Sequence, residues 1–371
     1  MRVFFYVQHL LGVGHLKRAA TLARGLEAAG FEVTLASGGL PTEGIGFPVL
    51  QLPPARSDAA FKHLLDERGE PVDDAWRARR REALLKAWLR SDADVLMIEL
   101  FPFGRRQMRF ELLPLLDEAR SSRHGRRRRP LIVCSARDLI QWRPTREPEM
   151  LEYFERYFDR LLVHGDPAIA SFNFGLADRL AGRLHYTGYV VNQASEKTDL
   201  GSDEVLVSAG GGAVGRPLLE AALVARPLTS LRDRPWRLLA GINALEADLA
   251  SLRKRAAPGV IVERSRQDFT ARLASCVLSV SQAGYNTVME ILAARARAVV
   301  VPFAGGGEVE QTTRAHLLVA RGLLEMIEEG ALDGASLAAA IERALARPRP
   351  APGQIDLDGA AASARLLRQW L

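Results

Sequence analysis

The chain has 371 residues, of which 48% are apolar and 25% charged, with a formal net charge of +6. That length exceeds one ordinary hydrophobic core and predicts two domains, while no apolar run approaches the roughly 20 residues that a helical membrane span needs. The positive balance suits phosphorylated ligands or an anionic membrane face. No aromatic-rich strand or zinc-ligand spacing accompanies the arginines, so nucleic acid is not an expected partner.

Val3–Val7 reads as a buried strand. "GVGH" follows, and Leu16, Ala19, Ala20, Ala23 and Leu26 then recur at helical spacing until Gly30 stops the helix. Gly12, Gly14 and His15 therefore sit at a helix N-terminus, where N–H groups and the helix dipole favour an anionic or polar ligand. Further strands are expected near Glu32–Ala36, Asp94–Leu100, Leu131–Ser135 and Arg160–Val163. Amphipathic helices are expected at Ala75–Leu89, Gln107–Ala119 and Glu147–Phe158. Arg126–Arg129 reads as a solvated loop or a membrane-surface contact. The pattern breaks between Leu184 and Val205 into Gly, Asn, Ser and charged residues, which sets a boundary giving domains 1–192 and 193–371, the last helix being free to pack back on the first.

The second half repeats the alternation, with strands near Glu204–Ser208, Trp236–Ala240, Val260–Glu263, Cys276–Val280 and Ala298–Pro302. Continuous apolar strands alternating with helices imply two doubly wound parallel sheets, an α/β class in which ligands bind beyond the carboxyl ends of the strands. Cys134 and Cys276 lie in apolar strands and are expected as buried thiols. The chain begins directly with strand residues and shows no cleavable signal pattern, so a cytoplasmic location is expected.

The chemistry concentrates in loops after strands. Gly210, Gly211 and Gly212 follow one strand as either a tight turn or a diphosphate contact. "QAGYNT" turns from a strand into a helix, carrying Gln282, Gly284, Asn286 and Thr287. Glu290 beyond it is a hydrogen-bond acceptor for ribose hydroxyls or a partner of the helix dipole. Glu310 and Gln311 open another helix as sugar-hydroxyl partners, with a solvated helix residue as the alternative for Glu310.

The arrangement from Val205 to about Met326 resembles the donor domain of GT-B glycosyltransferases, especially the family that adds N-acetylglucosamine to the lipid-linked peptidoglycan precursor, and "GVGH" is similar to that family's Gly-Gly-His loop. The resemblance implies two Rossmann-like domains facing each other across a cleft. It places Gly210–Gly212 and the "QAGYNT" turn at the diphosphate of a UDP-sugar, Glu290 at its ribose, and Glu310 and Gln311 at its hexose, an N-acetylhexosamine. The family's paired glutamines stand here as Glu310 and Gln311. The segments Phe61–Leu89 and "FPFGRRQMRFELLPLL" have no counterpart in the peptidoglycan enzyme, so a relative with another lipid-linked or glycan acceptor is expected.

In such a fold His15 is the expected base for inverting transfer, removing the acceptor's proton, with a donor-phosphate contact or a structural cap as its other roles. Glu99 and Asp138, each at the end of an apolar run, are further candidates to orient His15, bind acceptor or act as base, with surface helix caps as the alternative for both. His164 is either a residue of the floor between the domains or a satisfied loop histidine. No metal site and no cofactor are expected, the departing diphosphate being stabilised by helix N-termini. "GxGHxxR", with Gly12, Gly14, His15 and Arg18, also resembles nucleotide-sugar hydrolases of the same fold, in which the histidine activates water. A non-catalytic nucleotide-sugar-binding protein is the third reading. Trp76, Trp88, Phe101 and Phe103 read first as core residues, and would otherwise supply an apolar patch if the enzyme is peripheral on the inner face of the cell membrane.

Overall fold

The computed structural model describes all residues except 11, 59–61, 122–128, 140–143, 170–175, 181, 193–198, 211–214, 242–243 and 306–308. The chain divides into a first unit, Met1–Val190 with Asp356–Leu371, and a second unit, Val191–Ile355. The carboxyl-terminal segment from Asp356, which holds the last helix, thus belongs to the first unit.

In the first unit the strands are β1 (Arg2–Val7), β2 (Glu32–Ser37), β3 (Leu50–Gln51), β4 (Arg56–Ser57), β5 (Leu64–Leu65), β6 (Val95–Glu99), β7 (Leu131–Arg137), β8 (Arg160–His164) and β9 (Leu184–Tyr186). Helices α1 (Gly14–Ala28), α2 (Asp74–Ser91), α3 (Arg109–Arg120), α4 (Glu147–Tyr157) and the short α5 (Leu176–Arg179) lie between them. Seven strands form one sheet in the order β3-β2-β1-β6-β7-β8-β9, and β4 and β5 pair as a small antiparallel ribbon. All pairings in the large sheet are parallel, so both faces must be covered. Successive residues of β1 accordingly enter two cores: Phe4 and Tyr6 join Leu84, Trp88 and Leu112, while Val3, Phe5 and Val7 join Leu16, Ala20 and Leu26. Helix α1 ends where Gly30 takes φ +84°, and Phe31 N–H closes back on the Leu26 carbonyl at 3.1 Å.

The second unit contains β10 (Val205–Ser208), β11 (Trp236–Ala240), β12 (Val260–Arg264), β13 (Leu278–Gln282), β14 (Ala298–Val301) and β15 (Glu325–Met326). Its helices are α6 (Arg216–Ala225), α7 (Glu246–Arg255), α8 (Phe269–Ser275), α9 (Tyr285–Ala293), α10 (Glu310–Ala320) and α11 (Gly334–Ala346). The sheet order is β12-β11-β10-β13-β14-β15, again parallel. The chain then returns to the first unit, where α12 (Gly359–Trp370) buries Ala364 and Leu367 in the α1 core.

Each sheet therefore reverses its strand order once, between β1 and β6 and between β10 and β13, and the carboxyl ends of those strand pairs are where a doubly wound sheet opens a crevice. The expected β13 begins two residues later than Cys276, because Cys276 instead caps α8 through its N–H to the Arg272 carbonyl. The short edge strands β3, β9 and β15 carry too few residues for an alternating pattern to be read. Both cysteines are buried free thiols.

The apolar membrane patch is not formed. Trp88, Phe101 and Phe103 are core residues, and Trp76 is partly buried against Phe110. Among the described residues no helix is long and apolar enough to cross a membrane. Arg126–Arg128 lie outside the described residues.

Candidate active site

In the first unit the strand-order reversal brings together residues that are 84 positions apart: His15 Nδ1 lies 2.8 Å from Oε1 of Glu99. His15 is in the first turn of α1, just beyond β1, and Glu99 is the last residue of β6. Helix α1 has no side-chain N-cap, and a Cβ placed on Gly12 in the preceding turn would meet no atom within 4 Å. Arg18, one turn further along α1, donates to the same Glu99 oxygen.

Glu99 is fully buried. Burial opposes its ionisation, but His15, Arg18 and Arg105 outweigh that and hold its carboxyl well below the usual range. An ionised carboxylate can only accept, so Nδ1 carries the proton and Nε2 is left as the basic nitrogen. Burial, assisted by Arg105 and Arg137, lowers His15 to about 3 against the attraction of Glu99. Its side chain keeps 18% of its surface exposed, and the ring is neutral near pH 7.

Of the roles open to Glu99, orienting His15 is the one its contacts fit. Asp138 is buried, accepting from Leu139 N–H at 2.8 Å and from the Tyr189 hydroxyl at 3.2 Å. His164 is buried between the Ser135 and Thr187 hydroxyls, at 2.8 and 2.9 Å, and burial lowers it to about 3. Both nitrogens are satisfied inside the first unit, so it is a packing histidine. Gln8, Arg80, Tyr6 and Glu111 form a second buried network, with Arg80 Nε 2.8 Å from Glu111 Oε2 and the Tyr6 hydroxyl 2.5 Å from Glu111 Oε1.

In the second unit Gly210 follows β10 and Gln282 ends β13. Gly210 takes φ +70°, donates to the Ser208 hydroxyl at 3.2 Å, and a Cβ on it would lie 4.0 Å from Gln282 Oε1. Gly211 and Gly212 lie outside the described residues. Gly284 is the N-cap of α9, which has no side-chain cap, and a Cβ there would meet nothing within 4 Å. Asn286, Thr287 and Glu290 lie on α9 and are half-buried. Open space above a helix N-terminus, bordered by a glycine turn and Gln282, is the geometry a phosphate group needs.

Glu310 is not a solvated helix residue. It is 4% exposed and accepts from Arg314 at 2.8 Å, and that guanidinium lies 5.0 Å from the Tyr285 ring centroid. Glu310 thus joins the first turns of α10 and α9. Gln311 Oε1 accepts from the Phe303 N–H at 3.2 Å and fixes the loop after β14. Sequence reasoning passed over Arg105, which stands six residues after Glu99; the signal was a basic residue in the loop that leaves a strand ending in a carboxylate.

Comparison with known proteins gives first the fold class. Over the full chain the structure is similar to CalG4, the calicheamicin glycosyltransferase, at a TM-score of 0.65 and 16% identity, covering 98% of that protein. It is similar to MurG of Acinetobacter baumannii at 0.56 and 14%, covering 98% of this chain and 94% of that one. Spinosyn rhamnosyltransferase SpnG complexed with thymidine diphosphate gives 0.63 and 16%, with both chains covered in full. These likenesses show the fold: two Rossmann-like domains of the GT-B class.

Sequence comparison adds a likeness in the second unit. Residues 212–355, almost the whole second unit from α6 onward, match the glycosyltransferase family 28 C-terminal domain. The chain is also 29% identical over 143 residues to the UDP-N-acetylglucosamine–N-acetylmuramyl-(pentapeptide) pyrophosphoryl-undecaprenol N-acetylglucosamine transferase of Exiguobacterium sp. (strain ATCC BAA-1283 / AT1b). That match covers 38% of this chain and about two fifths (40%) of the curated relative's length.

Proposed function

We propose that the protein is a hexosyltransferase that moves a sugar, an N-acetylhexosamine, from a UDP-sugar to a hydroxyl of an acceptor, with inversion and without a metal ion. The observation that carries this reading is the pairing of neutral His15 with buried Glu99 in a chain whose residues 212–355 match the family 28 C-terminal domain. In this reading the second unit takes the donor, with the diphosphate at Gly210, Gln282 and the α9 N-terminus, the ribose at Glu290 and the hexose at Gln311. Glu310 supports that surface from beneath through Arg314.

His15 Nε2 takes the acceptor hydroxyl proton as the oxygen bonds to the anomeric carbon. The bond from that carbon to the diphosphate oxygen breaks, and UDP leaves with the electron pair. Glu99 stabilises the imidazolium that forms, and the α9 dipole and N–H groups take up charge on the departing diphosphate. The same neutral imidazole would serve water, so a UDP-sugar hydrolase is the second reading, and a binding protein without turnover the third. We take the acceptor as a lipid-linked or glycan molecule at the inner face of the cell membrane; the name of the curated relative gives a pyrophosphoryl-undecaprenol acceptor for that protein.

Titration calorimetry against UDP-, GDP- and TDP-sugars, first without metal and then with magnesium, tests the donor. Micromolar binding of one UDP-sugar without metal is expected, and failure of all of them to bind overturns the reading. UDP release at a rate indifferent to every added acceptor would favour hydrolysis.

A further inference from the structure

Arg80, Glu111, Tyr6 and Gln8 are all fully buried, and they join α2, α3, β1 and the loop that leaves β1. Arg80 Nη2 donates to Glu111 Oε1 at 2.9 Å and to Gln8 Oε1 at 2.8 Å, while its Nη1 donates to the Gly38 carbonyl at 3.0 Å and to the Pro53 carbonyl. A Cβ on Gly38 would lie 2.0 Å from Arg80 Nη2, so the loop after β2 reaches this network only because a glycine stands there. Arg80 and Glu111 come one each from the two segments that the family resemblance leaves without a counterpart, and Arg105 lies in the second of them.

Stability alone does not account for such a pair. Desolvating it costs about what the pairing returns, and well-packed apolar side chains would hold α2 against α3 as firmly. Apolar groups cannot aim a peptide group, however, whereas directed hydrogen bonds can. Gln8 receives that aim: its Nε2 donates to the carbonyls of His9 and Ala55 at 2.8 and 3.2 Å, and its own carbonyl accepts from Arg105 Nε at 2.6 Å. Arg105 in turn acts on His15, opposing its protonation together with Arg137, while Glu99 favours it. Arg18 joins through its bond to Glu99. A continuous route thus runs from α2 to the histidine through Arg80, Gln8 and Arg105.

We propose that Arg80, oriented by Glu111, is a positioning residue for His15: through Gln8 it fixes the peptide groups that follow β1 and the Arg105 guanidinium beside them. This rests on the reading of His15 as the base and adds the residues that set the base's surroundings.

The test uses the full chain with isotope-labelled arginine and histidine, the Arg105 and His15 resonances being assigned from Arg105→Lys and His15→Gln. Gln8→Met keeps the Arg80–Glu111 pair and removes only the link, and Arg80→Lys keeps the charge without the planar fork. At pH 7.5 both substitutions are expected to shift the Arg105 Nε–H and His15 ring signals and to leave His316, in the second unit, unchanged. For Gln8→Met, kcat for UDP release from UDP-N-acetylglucosamine should fall by about ten- to a hundred-fold, the scale of an ångström-sized misplacement, with KM for the donor within about two-fold. A network that only supports the fold would lower the melting temperature and move none of these. The inference is overturned if Gln8→Met leaves the Arg105 and His15 signals as in the wild type, or if kcat is unchanged in a Gln8→Met protein that circular dichroism shows to be folded. If the wild type releases no UDP, with or without added acceptors, that failure belongs to the transfer reading, and the spectra alone decide the positioning.

Discussion

Replacing Glu99 by glutamine separates the two tasks given to that carboxylate. The substitution keeps the shape and one acceptor oxygen but removes the charge, leaving the Arg18 guanidinium, 4% exposed, without the anion it contacts. With Glu99 itself at 0%, solvent screens the pair little. The expected loss is that of a broken buried ion pair, about 3–5 kcal/mol. Against a typical domain stability of about 5–15 kcal/mol, this is a large fraction of what holds the first unit folded. With two units in the chain, the quantity to read is the first unit's own urea transition, followed by near-ultraviolet circular dichroism.

The pH dependence has a definite sign. Glu99 has a folded value below its unfolded one, so its stabilising contribution is complete above the unfolded value of about 4.3 and is lost as pH falls through the folded value. The difference between wild type and Glu99→Gln should thus be full at pH 7.5 and begin to close only below about pH 4.5. Turnover provides the second reading. Below the variant's melting range kcat should fall by about 10²–10⁴, because a neutral amide neither fixes the Nδ1–H tautomer nor stabilises the imidazolium. A stability loss under about 1 kcal/mol at pH 7.5 would refute the ion-pair argument, since that is the scale of an exposed pair. An unchanged kcat in the folded variant would refute the orienting role.

Two further outcomes are expected. Because burial and the neighbouring arginines lower His15, kcat/KM should stay on its plateau through pH 6.5 and show its acid limb below it; a limb at or above 6.5 would mean that the ring is not the neutral base described. Glu290→Ala should weaken UDP binding by about ten-fold, the scale of a lost charged hydrogen bond, and unchanged affinity by calorimetry would remove the ribose assignment.

Much of the architecture was legible in the chain because it is written in local pattern. Buried parallel strands are continuous apolar runs, crossover helices repeat apolar residues at helical spacing, and glycine marks the turns, so the strand at Trp236–Ala240 and the helix at Glu147–Phe158 could be read within a residue or so. The loops that carry chemistry were legible for a related reason: polar residues and glycines directly after an apolar strand have no packing task to explain them. What the sequence could not contain is which distant polar residue each of them meets. His15 with Glu99, Glu310 with Arg314 and Arg80 with Glu111 are contacts made by strand order and helix packing, and only the fold chooses them. The same holds for Phe101 and Phe103, whose side chains read as core more readily than as surface, and which the turn after β6 directs inward. Local pattern determined the elements and the loops between them; the tertiary structure decided partners, burial and therefore charge state, because desolvation and ion pairing depend on neighbours in space.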